Sequence, residues 1–373
     1  MIKVLMQNRM NMFERPGGDG TQLLKTKEYL EKMGVTVDLS LDLRPDLKKY
    51  DLVHIFHLDA VPDENYIRCL NAKKQGKPVV MSPIYWRVSE ISPCHGLAEK
   101  INRSLPNGTL RRISSLIYNQ EFERNKIDLA FRCFRLDFTG IVKEVLELCD
   151  AVLPNAKAEE EKIKKDFELK NTSKFHVVPN GVDIHTNYVK SGCFTVLGKP
   201  MRDFVLCVGR IDDRKNQLAL IKALKGTGLK LVLIGAESTK SKLNYYNLCK
   251  KEADNDVIFM DWMNSESLAS AYHAAKVHAL PSWYETPGLV NLEAGLAGCN
   301  IVATDKGSTK EYLRDYAWYC DPAKTASIRR AVLDAFSAEK SPDLRNFICK
   351  NFSWEQAAEK TLRVYERVLM RNR

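Results

Sequence analysis

The chain has no stretch approaching the roughly 18 consecutive apolar residues that a membrane-spanning helix requires, so no such span is expected. Nor does its start, Met1-Ile2-Lys3-Val4-Leu5-Met6, show the charged, apolar and small-residue succession of a signal peptide; it reads as a short buried strand, and a cytoplasmic location is expected. The ten cysteines include no Cys-x-x-Cys pair and no histidine at zinc-ligand spacing. Several sit in apolar runs, such as Cys207 within Phe204–Val208, and read as small buried hydrophobes in a reducing compartment. Internal repeats and low-complexity segments are missing too. The formal charge of +10 is unaccompanied by any known nucleic-acid recognition motif, so nucleic acid is not the expected partner.

A length of 373 residues suits about two domains with sizeable cores, and 45% hydrophobic with 28% charged residues is ordinary for a soluble globular protein. Short continuous apolar runs alternate with amphipathic helical patterns in two blocks. The first includes strands over Ile2–Gln7, Thr36–Leu39, Leu52–Phe56, Pro78–Met81, Ala151–Pro154 and Phe175–Val178, with helices over Gln22–Met33, Glu64–Gln75, Ile141–Leu148 and Ala156–Phe167. The second includes strands over Phe204–Val208, Leu229–Ile234, Val257–Met260, Val277–Leu280 and Ile301–Thr304, with helices over Gln217–Leu224, Ser241–Ala253, Ser265–Ala274, Leu289–Ala297 and Ser327–Phe336. Apolar strands of this kind belong in parallel sheets covered on both faces, which predicts two Rossmann-like α/β domains. The turn-rich stretch Asp183–Arg202 is the expected boundary, between domains at 1–190 and 200–353.

Glu285 and Glu293 stand eight positions apart across a Pro-Gly turn and the start of an apolar helix. Free N–H groups around Gly288, Leu289 and Val290 favour an anion, and Gly288 has no side chain to hold a ligand away. Glu285 before the helix and Glu293 about two turns inside it are placed to accept hydrogen bonds from ligand hydroxyls. Phosphate at the helix start, with ribose and hexose at the two carboxylates, describes a nucleotide sugar; solvated helix-end acids are the plainer alternative.

Three segments together resemble the signatures of retaining glycosyltransferases of family four, also called group 1: this Glu-x7-Glu segment, Val208–Asn216, and Val177–Asp183. They stand in that family's order, and the likeness is strongest from Ala151 to Glu311. The resemblance implies a GT-B architecture, in which two Rossmann-like domains face each other across a cleft. It also implies that the last helix, Trp354–Leu369, crosses back to the N-terminal domain, adding 354–373 to it. By resemblance Arg210 and Lys215 clamp the diphosphate, with Pro287, Gly288, Leu289 and Val290 at the turn and helix start beside it. Gly235, Asp261 and Trp262 end strands where relatives approach the nucleobase and ribose, Trp262 having packing as an equal reading. Gly17 and Gly18 resemble the family's glycine loop near the donor phosphates, with a plain turn as the alternative.

The implied reaction transfers a sugar from a nucleoside diphosphate to an acceptor hydroxyl with retention. It needs no protein nucleophile, cofactor or metal; Arg210 and Lys215 steady the leaving group and Glu285 orients the sugar. One departure bears on the acceptor side. Where many relatives carry a histidine after the strand ending at Ser82, this chain reads Pro83-Ile84-Tyr85-Trp86-Arg87; Tyr85, Trp86 and Arg87 are acceptor-pocket candidates with packing as the equal reading, and His57 is another, with a satisfied polar residue at a strand end as its alternative. Residues 100–135 hold eight basic against three acidic residues among apolar ones, which suits peripheral contact with an anionic membrane carrying a lipid-linked acceptor, or else a solvated helical cap. Glycan assembly at the cell surface is the expected setting. The competing readings are a sugar-nucleotide epimerase or glycan phosphorylase of the same fold, and a noncatalytic nucleotide-sugar-binding protein.

Overall fold

The computed structural model describes residues 1–14, 17–58, 61–86, 138–169, 172–184, 194–196, 198–235 and 243–372. Arg87, the basic stretch 100–135 and residues 185–193 lie outside the described residues. The chain forms two compact units, Met1–Pro179 with Trp354–Arg373, and Asn180–Ser353. The division thus falls at Pro179 and Asn180 instead of within Asp183–Arg202.

The first unit is built on a five-stranded parallel sheet in the order β2-β1-β3-β4-β5, with β1 Lys3–Gln7, β2 Thr36–Ser40, β3 Leu52–Phe56, β4 Val79–Ser82 and β5 Ala151–Val152. Helices α1 Gly18–Lys32, α2 Pro62–Lys74, α3 Phe138–Leu148 and α4 Lys157–Phe167 accompany it. Every residue of β3 and β4 is buried, which is why these strands read as near-continuous apolar runs. Leu5, Val53, Ile55, Val79 and Met81 meet Val142, Val145 and Leu146 of α3 in one core. The expected strand Phe175–Val178 is only a single bridge, from Phe175 to Val152.

Residues 195–196 and 199–200 pair as a short antiparallel hairpin, β6 and β7, in the stretch expected to be a loop. The second unit, to which this hairpin belongs, is built on a six-stranded parallel sheet in the order β10-β9-β8-β11-β12-β13. Its strands are β8 Val205–Val208, β9 Leu231–Ile234, β10 Val257–Met260, β11 Val277–Leu280, β12 Asn300–Thr304 and β13 Ala317–Cys320. Its helices are α5 Gln217–Leu224, α6 Leu243–Glu252, α7 Ser265–Ala274, α8 Leu289–Leu296, α9 Thr309–Leu313, α10 Thr325–Ser337 and α11 Asp343–Asn351. Val205, Cys207, Leu231, Leu233, Val277 and Val302 supply its core, against Leu220 and Leu224 of α5 and Ile328 and Val332 of α10. Both sheets have a doubly wound order, in which the chain runs outward on one side and then returns to the middle. That return sets the position of a site: between β8 and β11 the neighbouring connections leave in opposite directions.

The last helix, α12 Trp354–Arg371, belongs to the first unit. Its buried face, including Ala357, Ala358, Val364, Tyr365 and Val368, follows helical spacing, and it lies against α1. The Tyr365 hydroxyl is 2.6 Å from His54 Nδ1 in the centre of β3, and His54 Nε2 is 2.9 Å from Ser82 Oγ. Burial holds the imidazole neutral, with its pKa lowered to about 3.

Candidate active site

Strand register aligns three residues selected from the sequence. Val208, Ile234 and Met260 are direct neighbours across β8, β9 and β10, so Gly209, Gly235 and Asp261 leave the sheet at one level along its carboxyl edge. The Gly209 N–H donates to the Ile234 carbonyl and the Gly235 N–H to the Met260 carbonyl, both at 3.0 Å. Gly235 has a left-handed φ of +151°, and a β-carbon there would fall 2.1 Å from the Gly209 oxygen, so no other residue fits without moving the β8 end. Asp261 and Trp262 are exposed just after β10, with Trp262 keeping 55% of its surface, so packing does not hold its ring.

The loops after β8 and β11 meet at the switch point. The Trp283 N–H donates to the Arg214 carbonyl at 2.9 Å, and Asn216 Nδ2 donates to the carbonyls of Pro281 and Pro322 at 3.1 and 2.9 Å. Asn216 takes a left-handed conformation, φ +61°, that turns the chain into α5. Gln217 Nε2 donates to the Arg210 carbonyl at 2.8 Å, fixing the loop from below.

These backbone ties bring charge together. Lys215 Nζ lies 2.5 Å from Glu285 Oε1, and Arg214 Nη1 lies 3.6 Å from the same oxygen while donating to the Tyr284 carbonyl at 3.4 Å. Burial alone pushes the Glu285 carboxyl up, but the Lys215 and Arg214 charges outweigh it and hold it below the ordinary carboxylate range. Burial lowers the Lys215 ammonium. Arg210, half-buried in the same loop, makes no side-chain ion pair or hydrogen bond among the described residues. One carboxylate thus faces two cations, and Arg210 stands in the same loop, which leaves positive charge for an anionic ligand.

Glu285 is also held through its backbone, bridged to Gly307 and accepting from the Ser308 N–H at 3.0 Å. Beyond it Pro287 and Gly288 are buried, Gly288 with φ +64° begins α8, and Leu289 and Val290 form its partly buried first turn. Glu293 accepts from the Tyr272 hydroxyl at 3.0 Å, and burial pushes its carboxyl up. The two glutamates therefore differ: Glu285 is held ionised by cations, while Glu293 is shielded in α8 with a phenol partner.

No group of three or more His, Cys, Asp or Glu side chains placed to hold a metal occurs among the described residues. The Asp-x-Asp tripeptide Asp254-Asn255-Asp256 precedes β10, at the opposite edge of the sheet, where Asp256 Oδ1 pairs with Lys230 Nζ at 2.6 Å.

A family model described as "Glycosyl transferases group 1" matches residues 194–351, which contain all of this geometry. Residues 194–351 are a group 1 glycosyl transferase domain. Among curated proteins, alpha-maltose-1-phosphate synthase of Mycobacterium tuberculosis is 30% identical over 219 residues, covering 52% of this chain. The chain spans 57% of that relative's length. D-inositol 3-phosphate glycosyltransferase of a Nocardioides species is 22% identical, covering 94% of this chain and 85% of its own. The solved sucrose-phosphate synthase of Thermosynechococcus elongatus superposes with a TM-score of 0.73 at 15% identity, covering 100% of both chains. Anabaena HepE, solved in complex with UDP and glucose, gives 0.64 at 15% identity, covering 97% and 99%. The fold is GT-B, with the group 1 domain as its second Rossmann-like unit.

Reading forward from the sequence missed four residues around the group 1 site. Arg214 stood out as basic without an assignment. Tyr272, His278 and Asn291 lie within regular elements and act through contacts between elements, which local spacing does not display.

The acceptor candidates fall in the other unit. Tyr85 has the packing of its alternative reading: it is buried against Phe167, its N–H donates to Glu159 at 2.7 Å, and its hydroxyl donates to Asp166 at 2.9 Å. Trp86 is partly buried, with Lys162 Nζ 5.8 Å from its ring centre. His57 ends β3 at that sheet's own switch point in a left-handed conformation, φ +72°. Gly17 begins α1 in extended backbone, and a β-carbon there would fall 2.7 Å from Asp19 Oδ1; Gly18 is exposed with open space around it. Asp19 is already paired with Arg9, Nε to Oδ2 at 2.8 Å. Gly17 therefore has a local reason, room for the Asp19 carboxylate, beside the one read from resemblance.

Proposed function

We propose that the chain is a retaining glycosyltransferase that moves a sugar from a nucleoside-diphosphate sugar to an acceptor hydroxyl. The observation that carries this reading is the Lys215–Glu285 pair at the β8–β11 switch point, at the start of α8 and in the same loop as Arg210, which has no side-chain ion pair or hydrogen bond among the described residues. Open α/β sheets bind ligands at this place, and a carboxylate held ionised between cations joins a hydroxyl acceptor to a diphosphate site. The name of the D-inositol 3-phosphate glycosyltransferase relative supports sugar transfer, and the UDP held by Anabaena HepE supports a nucleotide-sugar donor.

In the proposed reaction the bond from the anomeric carbon to the diphosphate oxygen breaks as the bond to the acceptor oxygen forms on the same face. The acceptor proton passes to the departing phosphate. Arg210, Lys215 and the free N–H groups of α8 stabilise the charge that grows on the leaving group, and Glu285 orients the sugar. No cofactor or metal takes part. A glycan or lipid-linked acceptor in cell-surface glycan assembly, with residues 100–135 contacting an anionic membrane, completes the proposal; the basic surplus of that stretch supports it.

The test is a panel of nucleotide sugars titrated against the wild-type chain and Glu285→Gln. One donor is expected to bind both, with turnover in the presence of acceptor lost at least a hundredfold in the variant. Equal turnover would remove Glu285 from the reaction, and no binding by any donor would remove the proposal.

A further inference from the structure

Beneath the α8 start lies a polar chain that the charges above it do not use. The ladder between β8 and β11 stops at the pair Leu206 and His278, and the next free donor of β8, the Val208 N–H, donates to His278 Nε2 at 3.4 Å. A backbone N–H can only donate, so Nε2 is the unprotonated nitrogen and the neutral ring carries its proton on Nδ1. That nitrogen lies 3.0 Å from Asn291 Oδ1, which therefore accepts. The imidazole is fully buried, and burial lowers its pKa to about 3, so this tautomer persists across the physiological range.

Fixing Oδ1 toward His278 turns the other end of the carboxamide the opposite way. Asn291 is wholly buried, and its Nδ2 has no hydrogen-bond partner. A buried amide donor without a partner is costly and uncommon in a folded protein. Nδ2 lies on the side of Gly288 where a side chain would stand, since a β-carbon at 288 would come within 2.9 Å of it. Only glycine lets Nδ2 stand this close to the first turn of the eight-residue helix α8, next to Glu285, whose β-carbon is 3.7 Å from the same point.

We infer that Asn291 is a ligand-binding residue whose Nδ2, aimed by His278, donates to an anionic oxygen of a nucleoside diphosphate held at the start of α8. The inference rests on the nucleotide-sugar reading and adds a side-chain donor to the backbone N–H groups and cations already named. His278 acts as a positioning residue that never touches the ligand. Asp at 291 retains an acceptor for His278 Nδ1 and is favoured in a first helical turn, so Asn291→Asp exchanges the donor for an acceptor with little other change. Leu at 291 removes the donor and keeps the volume.

The experiment is calorimetric titration of UDP, ADP and GDP into the full chain, wild type, Asn291→Asp and Asn291→Leu, with circular dichroism as the check on folding. The expected result is that one diphosphate binds the wild type and that both folded variants bind it at least about tenfold more weakly, the scale of one hydrogen bond to a charged group. Wild-type affinity in either folded variant would overturn the role of Asn291 and leave the donor reading standing. No binding of any of the three diphosphates to the wild type would overturn the donor reading, and this inference with it. A second measurement needs no variant to fold: in ¹⁵N-labelled wild type, the Asn291 side-chain NH₂ resonances are expected to shift on addition of the diphosphate and not of the matching nucleoside. Unmoved resonances in the saturated complex would overturn the inference.

Discussion

Lys215 and Arg210 carry the same charge a few positions apart, yet their replacements are expected to behave differently. Lys215 is buried against Glu285, whereas Arg210 has no side-chain partner among the described residues. Lys215→Ala leaves a buried carboxylate with only Arg214 beside it, at 3.6 Å, and is expected to cost about 3 kcal/mol of stability as well as diphosphate affinity. Arg210→Ala is expected to leave the unfolding midpoint in place while weakening diphosphate binding by about tenfold or more. Chemical denaturation and calorimetry on the two variants separate these outcomes; equal destabilisation by both would contradict the pairing. The same pair fixes the sign of a pH dependence. Glu285 has its carboxyl lowered in the folded chain, so its stabilising contribution is present above the ordinary value of 4.5 and is lost as pH falls through the lower folded value. The stability difference between wild type and Glu285→Gln is therefore expected to be flat around neutrality and to shrink only below pH 4.5, as followed by denaturation at stepped pH.

At the scale of elements, the glycines that end β8 and β9 are where shape decides function. Gly235→Ala would drive a β-carbon into the Gly209 carbonyl at 2.1 Å and adds strain at φ +151°. It is expected to destabilise the second unit by several kcal/mol and to displace Arg210, with loss of nucleotide binding even where the unit stays folded; calorimetry of the variant at low temperature checks this. Elements of this unit were legible because buried parallel strands read as unbroken apolar runs, as in Leu231–Ile234 and Val205–Val208. The carboxylate pair was legible because both glutamates sit on a short local pattern around one Pro-Gly turn. Strand β13, with half-buried Ala317, Trp318 and Tyr319, carries a weaker apolar signal and was not anticipated, nor was the two-residue pairing of β6 with β7. Helix α1 begins at Gly18 instead of Gln22 because Asp19 and Arg9 settle its first turn, a contact between residues ten apart that helical periodicity does not encode. Tyr85 was ambiguous for a related reason: an aromatic after a strand suits a pocket or a core equally, and its partners Glu159, Asp166 and Phe167 are far away in sequence.

For the whole molecule, α12 returns the chain to the unit it began with, so the first unit's core is completed by the last residues in sequence. Tyr365→Phe removes the hydroxyl that meets His54 Nδ1 and leaves a buried imidazole nitrogen without its partner. That variant is expected to lose about 1–3 kcal/mol in the unfolding of the first unit, seen as a lowered first transition on thermal unfolding, with nucleotide affinity of the second unit unchanged. The claim on which the account most depends is that the charges at the β8–β11 switch point serve sugar transfer with retention. Slow hydrolysis of a panel of nucleotide sugars, with the anomer of the freshly released sugar followed by NMR, tests it directly. Cleavage of one donor with its anomeric configuration kept, and lost in Glu285→Gln, is the predicted result; release of the inverted anomer, or unimpaired cleavage in the variant, would contradict it.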